Sequence, residues 1–163
     1  MTGKLKALSL VVACFSALVV SGCAETSMLY RNKQVSPVHV VTLQEGGPHS
    51  GNWQTFDLVI DYKYTRNGDV LELSGQAELG QHQQMLYSRL QYLYFYFFFV
   101  DKDSRVLETF SIDNFFPGNT DEQVKITKSY KIPDGTAGLS FGYSGNVMEQ
   151  ESHYSFYLLP LKQ

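Results

Sequence analysis

The chain has 163 residues, 18% of them charged, a formal net charge of −3, only two cysteines, and 11 Tyr beside 11 Phe. Its basic residues are scattered singly, which excludes the clustered cationic surface that nucleic acid or an anionic membrane face requires. Both cysteines, Cys14 and Cys23, lie in the first 23 residues, so the rest of the chain has no disulfide, no thiolate-held metal and no cysteine nucleophile.

Lys4 and Lys6 form a short basic stretch ahead of an apolar run from Ala7 to Val20. That run has the length of a signal-peptide core and falls short of the roughly 20 apolar residues of a membrane-spanning helix. It ends in Val20-Ser21-Gly22-Cys23. This segment resembles the lipobox of bacterial lipoproteins: an aliphatic residue, two small residues and a cysteine. The resemblance implies a signal peptide over 1–22, cleavage by signal peptidase II before Cys23, and lipidation of Cys23 with palmitate-type chains. Each buried CH₂ contributes ~0.8 kcal/mol, so one chain holds reversibly and several hold firmly. Ala24 follows the cysteine. Among such lipoproteins Asp there commonly retains the product in the inner membrane, so the resemblance implies the outer membrane, periplasmic side.

Processing leaves Cys23 to Gln163, the size of one domain, with 11 basic against 16 acidic residues once Lys4 and Lys6 are gone. A globule of that size builds a core without covalent staples. Residues 23–37, a lipidated cysteine and polar sequence, read as a tether spanning roughly 20 Å as a flexible coil. Residues 38–163 read as the folded domain.

From residue 38 the dominant hydrophobic period is two. A first strand is expected at 38–43. In the next, Phe56, Leu58, Ile60, Tyr62 and Tyr64 alternate with Asp57, Val59, Asp61 and Lys63, with Trp53 as a core or end plug at its start. Asn67-Gly68 suits a type I′ hairpin turn. The following strand puts Leu71, Leu73, Ala77 and Leu79 on one face. Only Gln81 to Ser88 has room for a helical turn. Further strands are expected at 87–100, 105–112, 123–132, 138–143 and 152–159, separated by turn chemistry at 101–104, 114–119, 133–135 and Ser144-Gly145-Asn146. The expected fold is all-β, an antiparallel β-sandwich of immunoglobulin-like size with 7–8 strands. A small closed barrel is the alternative.

Residues 90–100, LQYLYFYFFFV, carry six consecutive aromatic rings. By parity Leu93, Phe95, Phe97 and Phe99 share one wholly apolar face. Leu90, Tyr92, Tyr94, Tyr96 and Phe98 share the other. Both faces demand cover, so the segment is expected to be a central strand. The stripe Tyr92, Tyr94, Tyr96 is a candidate binding surface, either for a protein partner or for sugar rings, against the plainer role of packing under a loop. Phe115 and Phe116 form a second candidate, as a lid over one end of the sandwich or as a docking point.

Catalytic and metal signatures are weak. Asp101-Lys102-Asp103-Ser104-Arg105 lacks the third oxygen ligand, the glycine and the closing acid of an EF-hand loop, and reads as a hairpin. Gly142-Tyr143-Ser144-Gly145 breaks the nucleophile-elbow pattern, because Asn146 stands where its last glycine belongs. His39, His49, His82 and His153 have no metal-ligand spacing. No catalytic residue, metal or cofactor is assigned. Phe98-Phe99-Val100-Asp101-Lys102-Asp103-Ser104-Arg105-Val106-Leu107 and Phe141-Gly142-Tyr143-Ser144-Gly145 are similar to segments of uncharacterised small bacterial lipoproteins, with Ser104 in place of a glycine. The expected role is non-enzymatic: a structural or protein-interaction lipoprotein of the cell envelope, anchored through Cys23, with an envelope protein as partner. A carbohydrate or peptidoglycan-fragment binder using the tyrosine stripe is the alternative.

Overall fold

The computed structural model describes residues 29–115 and 118–160, with the side chains of 113–115 left aside. Ten strands run in chain order: β1 (Val41–Thr42), β2 (Gly46–Gln54), β3 (Leu58–Asn67), β4 (Val70–Leu79), β5 (Arg89–Val100), β6 (Val106–Phe115), β7 (Gly118–Asn119), β8 (Val124–Lys131), β9 (Gly138–Glu149) and β10 (Ser152–Leu158). One short helix, α1 (Gln81–Leu86), links β4 to β5, and a 3₁₀ turn covers Pro37–His39. The strands form two antiparallel sheets. The smaller has the order β2-β3-β4-β8. In the larger, β9 and β5 are the two inner strands, β1 and β10 share the outer side of β9, and β6 and β7 share the outer side of β5. This is an all-β sandwich.

The alternating sequences fold as the period-two pattern implies. Leu58, Ile60 and Tyr64 of β3 and Leu71, Leu73, Ala77 and Leu79 of β4 are buried against the larger sheet. From there Leu93, Phe95, Phe97 and Phe99 project back into the same core. Phe97 stacks on Tyr130 of β8 at 4.7 Å, and Trp53 meets Phe141 edge-on at 5.5 Å. β5 is the expected central strand, paired along its length with β9 and on its other side with β6 and β7.

Several local expectations need correction. Leu90 joins the main core rather than the tyrosine face, because a bulge between Leu90 and Tyr92 inserts Gln91 and reverses the parity. Phe56 is not an inward strand residue: it lies in the tight β2–β3 turn closed by Thr55 N–H to the Leu58 carbonyl, and is 66% exposed. Trp53 is buried, but near the end of β2. The β3–β4 loop is Gly68-Asp69, and positive φ occurs at Gly68 alone (62°), the pattern of a type II′ turn with glycine first.

Two strands exceed their expected bounds or were not expected. β2 is an edge strand whose sequence, GGPHSGNWQ, shows no apolar alternation. The ring of Tyr62 on β3 covers Gly51 directly, supplying the bulk that β2 lacks. β9 runs through Ser144-Gly145-Asn146, where a turn was expected, and turns only at Gln150. Gly145 is needed inside the strand because the ring of its cross-strand partner, Phe156, occupies the space of a Cβ.

The opposite face of β5 carries a second, smaller core of Tyr30, Val35, Phe98, Val100 and Val106. Residues 29–36, expected within a flexible tether, are therefore part of the folded unit in the form of a strap. Asn32 N–H donates to the Val106 carbonyl (2.8 Å), Val106 N–H to the Lys33 carbonyl (2.9 Å) and Val35 N–H to the Ser104 carbonyl (2.9 Å). The Tyr30 ring sits edge-on to Tyr96 (5.8 Å) and Phe98 (5.7 Å). An aliphatic and aromatic strand face cannot stay wet, and the strap is what covers half of it.

Candidate functional site

Strand register assembles the outer face of the larger sheet from three strands. Tyr94 of β5 lies opposite Ser144 of β9, which lies opposite Tyr157 of β10; Tyr92, Asn146 and Ser155 form the adjoining row. Directly opposed residues of an antiparallel pair share a face, so these six side chains form one continuous patch. Tyr157 is 69% exposed, while Tyr92, Tyr94 and Tyr96 are each half-buried. Asn146 Nδ2 donates to Ser155 Oγ at 3.0 Å, bracing the second row. Neither row holds a charged residue; Arg89 and His153 stand at the next register position, on the rim.

The stripe is not uniform along its length. Tyr96 is capped by Tyr30, and burial, followed by the neighbouring Tyr94, pushes its phenol above the ordinary tyrosine value. Tyr30 is raised in the same way by burial and by Tyr96. Tyr92 and Tyr94 have ring centroids 5.3 Å apart and planes inclined at 42°. Two rings at that angle do not form the flat platform on which a sugar stacks. Phe115 takes its place on β6 opposite Leu93, with its side chain outside the described residues, and Phe116 lies outside them altogether. Cys23 and the lipobox also precede the described residues.

A half-buried polar cluster, not anticipated from sequence, sits where α1 meets the β2–β3 turn. Gln83 Nε2 donates to Asp57 Oδ1 (2.8 Å), and the Tyr143 hydroxyl donates to Asp57 Oδ2 (3.0 Å) while lying 2.8 Å from Thr55 Oγ1. Burial drives the Tyr143 phenol far above its ordinary value; the Thr55 hydrogen bond opposes this and the Asp57 charge adds to it. A phenol so strongly held protonated is a hydrogen-bond donor, not a base. Gly80 N–H adds a bond to the Asp57 carbonyl (2.7 Å). The cluster is a latch that fixes α1 and the Phe56 turn to the sheets. Asp57 gave no sign of this, since it reads as the solvent side of an alternating strand.

Between the ends of β1 and β10, residues 140–142 of β9 have no strand neighbour on that side. A cavity of about 430 Å³ opens there, lined by Val35, Pro37, His39, Phe98, Phe141 and Leu158. The His39 carbonyl closes its floor by accepting from both Trp53 Nε1 and Ser140 Oγ, each at 2.8 Å.

The remaining sequence candidates are structural. The Asp101 carboxylate accepts from the backbone N–H of Asp103 (2.8 Å) and of Arg105 (2.9 Å), folding its own hairpin turn. Ser104 occupies the left-handed region (φ 61°), a conformation that glycine adopts at no steric cost. His39, His49 and His82 each lie beside an aromatic ring, of Trp53, Tyr64 and Phe56 respectively, and His153 beside Asn146. Among the described residues no three His, Cys, Asp or Glu side chains gather in a metal-binding group, and no helix is long and apolar enough to cross a membrane. No family model, curated protein or solved structure matches the chain.

Proposed function

We propose that the protein is a lipid-anchored component of the cell envelope, held through Cys23 on the periplasmic side of the outer membrane, that acts without catalysis by binding another envelope protein. The observation that carries this is the uncharged patch of Tyr92, Tyr94, Ser144, Asn146, Ser155 and Tyr157. Its composition suits protein contact: tyrosine offers rigid amphipathic area at little entropic cost, and Ser and Asn offer adaptable hydrogen bonds. The strap supports the same reading, because its described residues begin at Leu29, close in sequence to Cys23.

The test is site-specific photo-crosslinking in intact cells. A photoreactive residue replacing Tyr157 is expected to give one discrete adduct, which Tyr94→Ala weakens. The same probe replacing Ser74, on the exposed face of the smaller sheet, is expected to give none. Indistinguishable adduct patterns at the two positions refute the contact surface. In parallel, Cys23→Ser is expected to move the protein out of the membrane fraction and to end incorporation of labelled palmitate; continued incorporation refutes the anchor.

A further inference from the structure

α1 has its polarity reversed. Gln83 is buried in the Asp57 latch, while Met85 is 79% and Leu86 52% exposed. His82 lies three and four residues before them on the same helix face, and its ring is 4.8 Å from that of Phe56, itself exposed on the β2–β3 turn. Phe56, Met85 and Leu86 thus form one apolar tip, held from beneath by the hydrogen bonds of Gln83 and Tyr143 to Asp57. Beside it, Tyr87 and Tyr154 stack at 5.9 Å, with Tyr154 partly exposed.

The course of the strap bears on what covers that tip. The strap is fastened at Val35 to the Ser104 turn, at the end of the sandwich opposite α1, and runs back along the sheet to Tyr30 over Tyr96. Traced toward the N-terminus it therefore heads for the α1 end. From Tyr96 to Arg89, where β5 begins next to α1, seven residues of strand cover roughly 23 Å. The six residues from Cys23 to Met28 reach about 20 Å when extended. That length is enough for a lipid on Cys23 to enter the bilayer at the α1 end.

We infer that the α1 end of the sandwich rests on the membrane, with Phe56, Met85 and Leu86 inserted at the level of the lipid headgroups beside the chain's own anchor. This rests on the anchoring through Cys23 proposed above. Apolar burial drives the contact, not charge, since Glu149 at the end of β9 and Glu151 in the β9–β10 turn stand nearby. It leaves the sheet face that carries the exposed Tyr157 turned sideways to the membrane surface.

The test uses the lipidated protein on zwitterionic phosphatidylcholine vesicles. With Cys14 removed with the signal peptide and Cys23 acylated, an introduced cysteine is the only free thiol. A nitroxide is attached through Met85→Cys or, in the far-end turn, through Asp69→Cys. Collisional relaxation is measured with oxygen and with a water-soluble nickel chelate, and compared with the same labels on the unanchored chain produced without residues 1–23, which likewise has no other thiol. On vesicles the position-85 label is expected to lose most of its nickel accessibility and to gain oxygen accessibility, while the position-69 label does not change. A position-85 label that remains as nickel-accessible as the position-69 label on protein that floats with the vesicles overturns the inference. Shielding from both relaxers also overturns it, because that is the signature of a protein contact such as a second copy. Protein that fails to float overturns the anchoring instead, and this inference with it.

Discussion

Replacing Tyr30 with Ala isolates the strap from the rest of the fold. Tyr30 is 7% exposed. A side chain of this size buries about 150–200 Å², worth about 4 kcal/mol at ~25 cal/mol per Å². A compact unfolded state lowers that to about 3 kcal/mol. Edge-to-face pairs such as those with Tyr96 and Phe98 add roughly 0.5–1.5 kcal/mol each. The loss has a ceiling, however. The strap contributes nothing to the core between the sheets, so once it has detached the sandwich stays folded and the cost grows no further. The expected destabilisation is therefore about 2–4 kcal/mol, which at a slope of ~2 kcal/mol per M lowers the urea midpoint by roughly 1–2 M. Amide exchange supplies the local readout: the N–H groups of Asn32 and Val35, bonded to Val106 and Ser104, should lose protection in Tyr30→Ala. Those of Ile60 and Leu73 in the β3–β4 ladder should keep most of theirs. The Tyr96 phenol, no longer covered, should titrate closer to the ordinary tyrosine value. Tyr30→Phe retains both ring contacts and should stay within about 1 kcal/mol of the parent. An Ala variant within about 0.5 kcal/mol of the Phe variant, with Asn32 and Val35 still protected, would refute the strap as a folded element.

The other predictions concern single residues in unfavourable surroundings. Ser104 holds a positive φ that costs an L-residue but not glycine, so Ser104→Gly should raise stability by about 0.5–1 kcal/mol; a lower melting temperature would contradict the turn geometry. The Tyr130 hydroxyl is buried with no hydrogen-bond partner, so Tyr130→Phe, which keeps the stacking on Phe97, should stabilise the protein by about 1 kcal/mol at neutral pH. The same residue carries a pH signature. Burial pushes its phenol up to about 12, whereas the unfolded chain releases that proton near the ordinary value of 10. Between those values the unfolded state binds fewer protons, so stability is fully present below pH 10 and falls as pH rises toward 12. Urea melts across that range should show a shallower fall in Tyr130→Phe, and an unchanged slope would argue against its burial.

What could be read from the sequence depended on whether a strand's own side chains filled the space on its face. β3, β4 and the middle of β5 alternate without interruption, so parity alone sorted Leu71 and Leu73, and Phe95, Phe97 and Phe99, into the core. Parity failed at Leu90 because one extra residue in a bulge reverses every assignment before it. It failed differently at Gly51 and Gly145, where the face of a strand is filled by a ring from the next one, Tyr62 and Phe156. A glycine covered in this way looks like a turn to any argument that proceeds along the chain. β2 and the second half of β9 were therefore hidden for the same physical reason.

The candidate patch inherits that division. Tyr92, Tyr94 and Tyr96 stood out because they sit in one unbroken run, but their partners Ser144, Asn146 and Tyr157 belong to a stretch that reads partly as a loop. Only the register of β5, β9 and β10 brings them together, and register is a property of pairs of strands, not of either strand alone. Tyr30 was missed for a related reason, since one aromatic ring in a polar segment makes no periodic signal. Yet the sequence contained the demand it meets: Phe98, Val100 and Val106 lie on the face of β5 and β6 turned away from the core. A strand apolar on both faces inside a two-layer sandwich requires a third layer, however short. The same logic applied to α1 runs the other way: a helix that buries its Gln and exposes its Met and Leu presents an apolar surface that no described residue covers.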